Sequence, residues 1–438
     1  MRSFLTLFLF AASLLNAPGV WAKQIRLSPA SDLAAAIKHA AVNDVLLFSS
    51  GVYSGPFVIN KSLTLKAESG AIFEGHKKGN ILLVLAPKVT IEGFVLRNSG
   101  MNLTKMNAAI FVDKTAKNIL IKNNVFKNNL FGIWLDAAHD ATVMGNKISA
   151  DPTVRSQDRG NGIHLYHVEG ADIAGNEIWH TRDGIYIDTS NNNVLRNNDL
   201  HDLRYGIHYM YSNHNRIEGN YTHNTRTGYA LMQSRSLTVL NNRSENDENY
   251  GILMNYITYS TLKNNRVVNV HKQIIPGYSG ASIAGTEGKA LFIYNSVFNV
   301  LEGNLFADSD IGIHLTAGSE NNTIYGNAFV NNYTQVKYVS NRRQEWSKNG
   351  RGNYWSNYLG WDRNDDGIGD RPFEPNDNVD KLLWKYPLAK LLMNSPSVQI
   401  LRWAQMQFPV FKSPGITDSY PLMQPLSSKT GARRISSL

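Results

Sequence analysis

Short alternations of apolar and polar residues recur along the chain, each opened by a small residue. Two examples are Gly162-Ile163-His164-Leu165 and Gly184-Ile185-Tyr186-Ile187. The opening residues are spaced 30, 22, 22, 22, 23, 39 and 22 positions apart: Gly132, Gly162, Gly184, Gly206, Gly228, Gly251, Ala290 and Gly312. Period-two alternation predicts strands, and a 22-residue repeat leaves no room for a helix or a four-stranded propeller blade. The pattern predicts an all-β parallel β-helix with three short strands per coil.

An asparagine series follows the same period and sharpens this prediction. It comprises Asn124, Asn146, Asn176, Asn198, Asn220, Asn242, Asn265, Asn304, Asn327 and Asn353. Both series stretch at the same two places, which predicts insertions near residues 150–159 and 271–288. Each asparagine is expected to adopt the left-handed turn and to bond to the asparagine one coil above. About eleven coils follow, with these residues facing inward: Ile163, Leu165, Ile185, Ile187, Ile207 and Ile252.

The two ends of the chain depart from the repeat. Arg2, the apolar residues 4–15 and the small residues before Lys23 predict a signal peptide over residues 1–22, hence export. Asp32 is placed to cap a helix over residues 33–37 that covers the first coil. The β-helix is predicted over 23–345 and a closing aromatic cap over 346–379, built from Trp346, Tyr354, Trp355, Tyr358 and Trp361. Residues 380–438 form a basic tail.

Composition narrows the possible functions. The chain has no cysteine, which excludes disulfides, thiolate zinc sites and cysteine nucleophiles. An exported chain without cysteine fits a bacterial periplasm. Of the formal net charge of +9, the tail contributes most, with eight Lys and Arg against two Asp. The nearly neutral body argues against nucleic-acid binding, and no apolar stretch is long enough to span a membrane.

The sequence resembles the NosD family in its asparagine coils and in two more specific stretches. These are residues 352–358 (GNYWSNY) with 366–372 (DGIGDRP), and the ending 408–423. The resemblance implies a right-handed β-helix in the periplasm that assists maturation of the copper sites of nitrous oxide reductase. It further implies a non-enzymatic protein, with no catalytic residues, that works with an ABC transporter permease and a copper chaperone.

Copper(I) prefers thioether and imidazole ligands where no thiolate is present. Alternation places His208 and Met210 on one outward face, and Met232 stands 22 residues after Met210, one coil above. These three residues are the candidate site for transient Cu(I). The alternative is that these side chains belong to a surface used for packing or for binding a partner, and bind no metal.

A column of arginines marks a candidate partner surface. Arg182, Arg204 and Arg226 each stand two residues before a coil glycine, so their like charges would stack about 5 Å apart. The column suits an acidic partner or a uronate sugar, unless Asp183, Asp199 or Asp202 bridges it. Beside it lies a predicted strip of outward rings that suits recognition or packing: Trp134, His164, Tyr186 and His208.

Two further segments carry candidate chemistry. Asp362, Asn364, Asp366 and Asp370 have the spacing of a calcium loop but lack the closing glutamate, so Ca²⁺ binding and a self-bonded turn both stay open. In the tail, Ser395 begins a predicted helix whose apolar side chains suit a transporter groove, a membrane surface or the rod itself. They are Ile400, Leu401, Trp403 and Phe408.

The main rival function is a polysaccharide lyase or epimerase acting on uronate sugars, because the same rod supports sugar chemistry. Such an enzyme needs clustered outward carboxylates. Asp136 and Asp188 share a column but are expected two coils apart, with Tyr166 between them. A passive carbohydrate-binding rod is the third possibility.

Overall fold

The computed structural model describes residues 22–272, 287–340, 342–375, 395–397, 399–400 and 415–425. Here the chain forms a right-handed parallel β-helix of about 14 turns with about 23 residues per turn. The predicted fold class is confirmed, whereas the expected eleven coils were too few. The predicted signal peptide, apart from Ala22, lies outside the described residues.

Among the described residues, three parallel sheets of thirteen, twelve and thirteen strands run along the rod, and neighbouring strands of each sheet come from successive coils. Sheet I has thirteen strands: β1 (Gln24–Leu27), β2 (Val45–Phe48), β5 (Thr64–Ala67), β8 (Thr90–Glu92), β11 (Leu120–Lys122), β14 (Thr142–Met144), β17 (Asp172–Ala174), β20 (Val194–Arg196), β23 (Arg216–Glu218), β26 (Thr238–Leu240), β29 (Thr261–Lys263), β32 (Val300–Glu302) and β35 (Thr323–Tyr325). Sheet II has twelve: β4 (Phe57–Ile59), β7 (Leu82–Val84), β10 (Ala108–Val112), β13 (Phe131–Asp136), β16 (Ile163–Tyr166), β19 (Asp183–Asp188), β22 (Tyr205–Met210), β25 (Thr227–Met232), β28 (Tyr250–Asn255), β31 (Lys289–Tyr294), β34 (Ile311–Thr316) and β37 (Thr334–Val339).

Sheet III has thirteen strands: β3 (Gly51–Ser54), β6 (Ala71–Glu74), β9 (Val95–Arg97), β12 (Val125–Lys127), β15 (Lys147–Ser149), β18 (Glu177–Trp179), β21 (Asp199–His201), β24 (Tyr221–His223), β27 (Arg243–Glu245), β30 (Arg266–Val268), β33 (Leu305–Ala307), β36 (Ala328–Val330) and β39 (Tyr354–Trp355). A separate pair joins β38 (Gln344–Glu345) to β40 (Ile416–Thr417). Helix α1 spans Leu33–His39, and a 3-10 turn spans Ser156–Asp158.

The core is one continuous apolar column inside the three sheets. The six residues predicted to face inward are at most 1% exposed, which confirms that prediction: Ile163, Leu165, Ile185, Ile187, Ile207 and Ile252. Each coil buries only a few apolar residues, so stacking on the neighbouring coils supplies most of the stabilising burial.

The asparagine series forms a buried ladder along the rod. Each Nδ2 donates to the Oδ1 of the next asparagine at 2.9 to 3.1 Å, as predicted. The expected left-handed conformation was wrong, however, because the preceding residue has it, as in Asn123 (φ 55°) and Asn197 (φ 54°). One residue therefore makes the left-handed turn, and the asparagine that follows it makes the bonds between coils.

The missing coils lie at the N-terminal end, where phenylalanine replaces the ladder. The Phe94 N–H donates to Oδ1 of Asn124 at 3.0 Å, so Phe94 occupies the next ladder position. Its ring stacks on Phe73 at 4.6 Å. The asparagine marks begin at Asn124, and a count based on them misses these earlier coils.

Both ends of the rod are covered. At the N-terminus Asp32 caps α1 by accepting from the Ala35 N–H at 3.0 Å, and Leu33 and Ile37 join the core. At the other end Trp346 and Trp355 are fully buried, but Trp361 is 42% exposed and lies at the rim. Part of the predicted tail, residues 415–425, folds back onto this end.

Candidate functional site

The outward face of sheet II carries the predicted strip of rings. Trp134, His164, Tyr186 and His208 occupy successive positions in register on β13, β16, β19 and β22. The rings are in contact, with Trp134 and His164 stacked at 3.8 Å and Tyr186 and His208 at 4.4 Å. Trp134 and His164 are only 6% exposed. Trp134 therefore packs with Leu130 and Phe131 instead of lying on an open recognition strip.

Asp183 anchors the centre of this face. Its carboxylate is fully buried, accepts two bonds from Arg204 at 2.8 and 2.7 Å, and lies 3.1 Å from Nδ1 of His208. Burial alone would raise the pKa of Asp183, but the bonds from His208 and Arg204 outweigh it and hold that pKa below its usual value. Asp183 thereby fixes an arginine and an imidazole.

The arginine column is not a stack of free charges. Arg204 pairs with Asp183 and lies over the Tyr205 ring, with 4.4 Å between its Cζ and the ring centroid. The Nε of Arg182 is 3.9 Å from the same carboxylate, and Arg226 is exposed. Of the three candidate bridging aspartates, Asp183 is the one that pairs with Arg204 and lies near Arg182, whereas Arg226 stays exposed. Binding of an acidic partner by the arginines stays a prediction.

The candidate copper ligands lie together on sheet II. Met210 and Met232 are direct partners across β22 and β25, and both side chains are half-buried. His208 stands two residues before Met210 and has the same outward direction. Its Nδ1 is engaged by Asp183, so Nε2 is the nitrogen that can take a ligand. A carboxylate behind a histidine orients the ring in this way at many metal sites.

Other side chains on the rod fit a metal less well. In the described part of the chain, no three His, Asp or Glu side chains are arranged to hold one. His164 is two coils from His208, and burial together with the Arg182 charge lowers its pKa to about 3. A copper site among the described residues would therefore include methionine thioethers, or would have fewer than three His, Asp or Glu ligands.

In the acidic loop, residues 362–370, side-chain oxygens accept hydrogen bonds from the loop's own backbone. Asp362 accepts from the N–H groups of Asp366 and Gly367, and Asp366 accepts from Ile368. Asp370 accepts from the Arg363 N–H, and Asn364 donates to Asp366. These contacts describe a self-bonded turn, and Ca²⁺ binding stays a prediction.

The tail is described only in part. The Gln399 N–H donates to Ser395 O at 3.2 Å, which places a helical turn at the predicted start, and Ile400 is 63% exposed. Leu401, Trp403 and Phe408 lie outside the described residues. No helix among the described residues has the length and apolarity to cross a membrane.

The two carboxylates predicted for the rival enzyme, Asp136 and Asp188, stand apart. Asp136 and Asp188 are each in register with Tyr166, which lies on the strand between them. Burial and the nearby Asp113 raise the pKa of Asp136. The column therefore keeps Asp136 apart from Asp188 and places Asp113 beside Asp136, one coil before it.

The sequence offers Asp183 as one of three possible bridges and does not show its contact with His208. A usable signal was its position directly before Gly184, where other coils carry Asn161, Tyr205 or Thr227. A charged residue at a position that is uncharged in the neighbouring coils indicates a specific partner.

Comparison with known proteins adds family evidence to this geometry. The family model described as "Periplasmic copper-binding protein (NosD)" matches residues 145–360, and a model of unknown function, DUF1565, matches residues 50–215. A relative from Pseudomonas aeruginosa, named "Probable ABC transporter binding protein NosD", is 59% identical over 86% of this chain and 87% of its own. A Stutzerimonas stutzeri relative of the same name is 56% identical over 86% of both chains.

Solved structures agree on the fold alone. The Yersinia enterocolitica family 28 exopolygalacturonase superposes with a TM-score of 0.54 at 10% identity, covering 76% of this chain and 78% of that chain. At this identity the likeness extends to the β-helix and not to the sugar chemistry.

Proposed function

Because this chain belongs to the NosD family, we propose that it is a non-enzymatic periplasmic accessory protein for the maturation of nitrous oxide reductase. It works with an ABC transporter permease and a copper chaperone to supply the copper sites of that enzyme. The family description as periplasmic and copper-binding supports this role, as do the relatives named for ABC transporter binding. The basic tail is the proposed contact with the permease.

The observation that carries the proposal is the pairing of Met210 with Met232 across adjacent strands, beside His208. Copper(I) is the cargo, and thioether and imidazole ligands suit it. The half-buried methionines leave the ion open to ligand exchange with a partner. Asp183 holds the imidazole in place, so that binding needs little reorganisation.

The rival sugar enzyme gains no support from the predicted pair of carboxylates. Tyr166 separates Asp136 from Asp188, and the carboxylate near Asp136 is that of Asp113, one coil before it. Incubation with uronate polymers tests the rival directly, since release of unsaturated or epimerised product would favour it.

The test uses a strain that lacks this protein and makes nitrous oxide reductase. The strain is complemented with wild type, with the double variant Met210→Leu, Met232→Leu, or with Met144→Leu, a half-buried control on sheet I. We expect reductase purified from the double variant to contain less copper, and the other two to match. Full copper loading in the double variant would contradict the proposal.

A further inference from the structure

Five exposed aromatic side chains lie at the corner where the chain passes from sheet II to sheet I. We call them the aromatic ridge, and they are 40 to 64% exposed: Tyr211, Tyr256, Tyr259, Tyr294 and Phe298. Tyr294 ends β31, and the other four lie in the turns after β22, β28 and β31. The ridge is separate from the buried rings of sheet II.

Four members of the aromatic ridge adopt a backbone conformation that disfavours them. Tyr211, Tyr256, Tyr259 and Phe298 have φ of 50°, 55°, 52° and 60°. At equivalent turns other coils use smaller polar residues: Asn192, Ser236 and Asn295. Bulky side chains at positive φ are outliers, and they cluster where function maintains them. Because these side chains are exposed, burial in the core does not offset the free-energy cost of this backbone conformation.

Ring contacts order four of the five ridge members. Tyr259 and Phe298 stack with 5.2 Å between ring centroids, and Tyr256 meets Tyr294 edge-on at 5.8 Å. The Nδ2 of Asn295 donates to Oη of Tyr256 at 3.0 Å. Rings held in place lose little entropy when a partner binds, which favours recognition.

The ridge is continuous with the methionine pair. Tyr211 directly follows Met210, and Asn255 is the strand partner of both Met232 and Tyr294. From Met210 to Tyr294 this column contains no charged residue, whereas the earlier coils place Asp136 and Asp188 there. This uncharged column extends about 15 Å at the spacing of parallel strands, and the exposed Arg235 lies in the adjoining turn, in register with Thr258.

The composition of this surface favours a protein partner. Tyrosine, phenylalanine and methionine are enriched, and charges depleted, at the centres of protein interfaces. An anionic lipid surface would call for a cluster of lysine and arginine, whereas Arg235 stands singly beside the ridge. Adjacent thioethers add a soft-metal function that sugar recognition does not use.

We propose that the aromatic ridge is the docking surface for a protein that carries Cu(I), and that docking sets its metal site against Met210 and Met232. The proposal rests on the copper-supply function above. Copper moves as Cu(I) by exchange of one soft ligand for another, so no electron is transferred and no oxidant is needed. The apolar rings keep water from the exchanging ion.

The test places a photo-crosslinking amino acid at position 256 or 259 of the full chain in copper-fed cells. The control position is 333, where Tyr333 is 71% exposed and outside the ridge. The crosslinked protein is identified by mass spectrometry, and its purified form is titrated with Cu(I) against a chromogenic chelator. We expect a Cu(I)-binding protein at 256 and 259 and not at 333. A lipid, a glycan, a second copy of this chain, a protein without Cu(I) affinity, or no adduct would each overturn the proposal.

A variant separates this proposal from the copper site itself. Tyr259→Asn with Phe298→Asn places a turn-compatible residue at both positive-φ sites, so the melting temperature should stay equal or rise. Crosslinking from position 256 should fall about tenfold, as for loss of interface anchors. The Cu(I) affinity of the isolated chain should be unchanged. Absence of Cu(I) binding by wild type would refute the copper site alone, while undiminished crosslinking to a Cu(I)-binding protein would show that these two rings are not anchors and refute the ridge.

Discussion

At the scale of single residues, the chemistry of the outward face of sheet II depends on whether its buried carboxylate is ionised. Asp183 is ionised and satisfied by Arg204 and His208, so it organises the outward face. Alternation and period placed His208, Met210 and Met232 correctly relative to one another. These sequence patterns could not show that Asp183 is buried, since aspartate also occurs at exposed positions such as Asp202.

Stability should depend on pH through two carboxyls that behave in the opposite way to Asp183. Burial raises the pKa of Asp247 to about 7 and that of Asp418 to about 6. The folded chain holds these protons more tightly than an unfolded chain, whose aspartate pKa is about 4. The stability that these two carboxyls contribute is therefore lost as pH rises from about 4 through these values.

The buried rings of His164 and His314, whose pKa values are lowered to about 3, act in the opposite direction, because they cost stability as pH falls below the unfolded histidine value of about 6.5. The carboxyl contribution is therefore isolated by a variant: Asp247→Asn should raise the melting temperature at pH 7.5 relative to that at pH 5, compared with wild type. An unchanged difference between the two pH values in the variant would contradict the assignment.

At the scale of elements, the repeat could be read from sequence because its period fixes which residues become neighbours. The ladder bonds and inward columns follow from that period alone. The division of work between Asn197, which turns the chain, and Asn198, which bonds to the neighbouring coils, needed backbone angles. The phenylalanine coils at the N-terminal end carry no asparagine mark, so they escaped the count.

The ladder makes a sharp prediction about adjacent asparagines. Asn198→Ala removes bonds to Ile173 O and Asn220 and leaves buried groups of Asn176 unpaired, which should cost about 2 to 4 kcal/mol of unfolding free energy. Asn197→Gly should change stability by only about 0.5 kcal/mol, because glycine tolerates the left-handed conformation. Chemical denaturation measures both, and equal losses would contradict the division of roles.

At the scale of the whole molecule, the rod is sealed by a segment far along the chain. Oδ2 of Asp418 accepts from the Asn353 N–H at 2.7 Å and from Nε1 of Trp355 at 2.8 Å. Ile416 and Leu422 are buried beside it. The sequence pattern assigned these residues to the tail, because a contact across 65 positions leaves no periodic trace.

Two truncations test this closure. Ending the chain after residue 414 should lower stability by about 3 kcal/mol or more, since it leaves the Trp355 N–H buried without an acceptor and exposes the last coil. Ending it after Pro425 removes Lys429, Arg433 and Arg434 but keeps the closure, so the melting temperature should match that of the full chain. Identical melting of the two truncations would show that the segment does not seal the rod.

The central claim is that Met210 and Met232, with His208, bind Cu(I). The most direct measurement is an anaerobic titration of the purified chain with Cu(I) against a chromogenic chelator, for wild type and for Met210→Leu, Met232→Leu. Because leucine nearly preserves volume and hydrophobicity, the fold should lose less than about 1.5 kcal/mol. The account predicts that wild type competes for Cu(I) and that the double variant binds it at least about tenfold more weakly, the loss of about 1.4 kcal/mol of binding free energy. Equal affinity in the two proteins would contradict it.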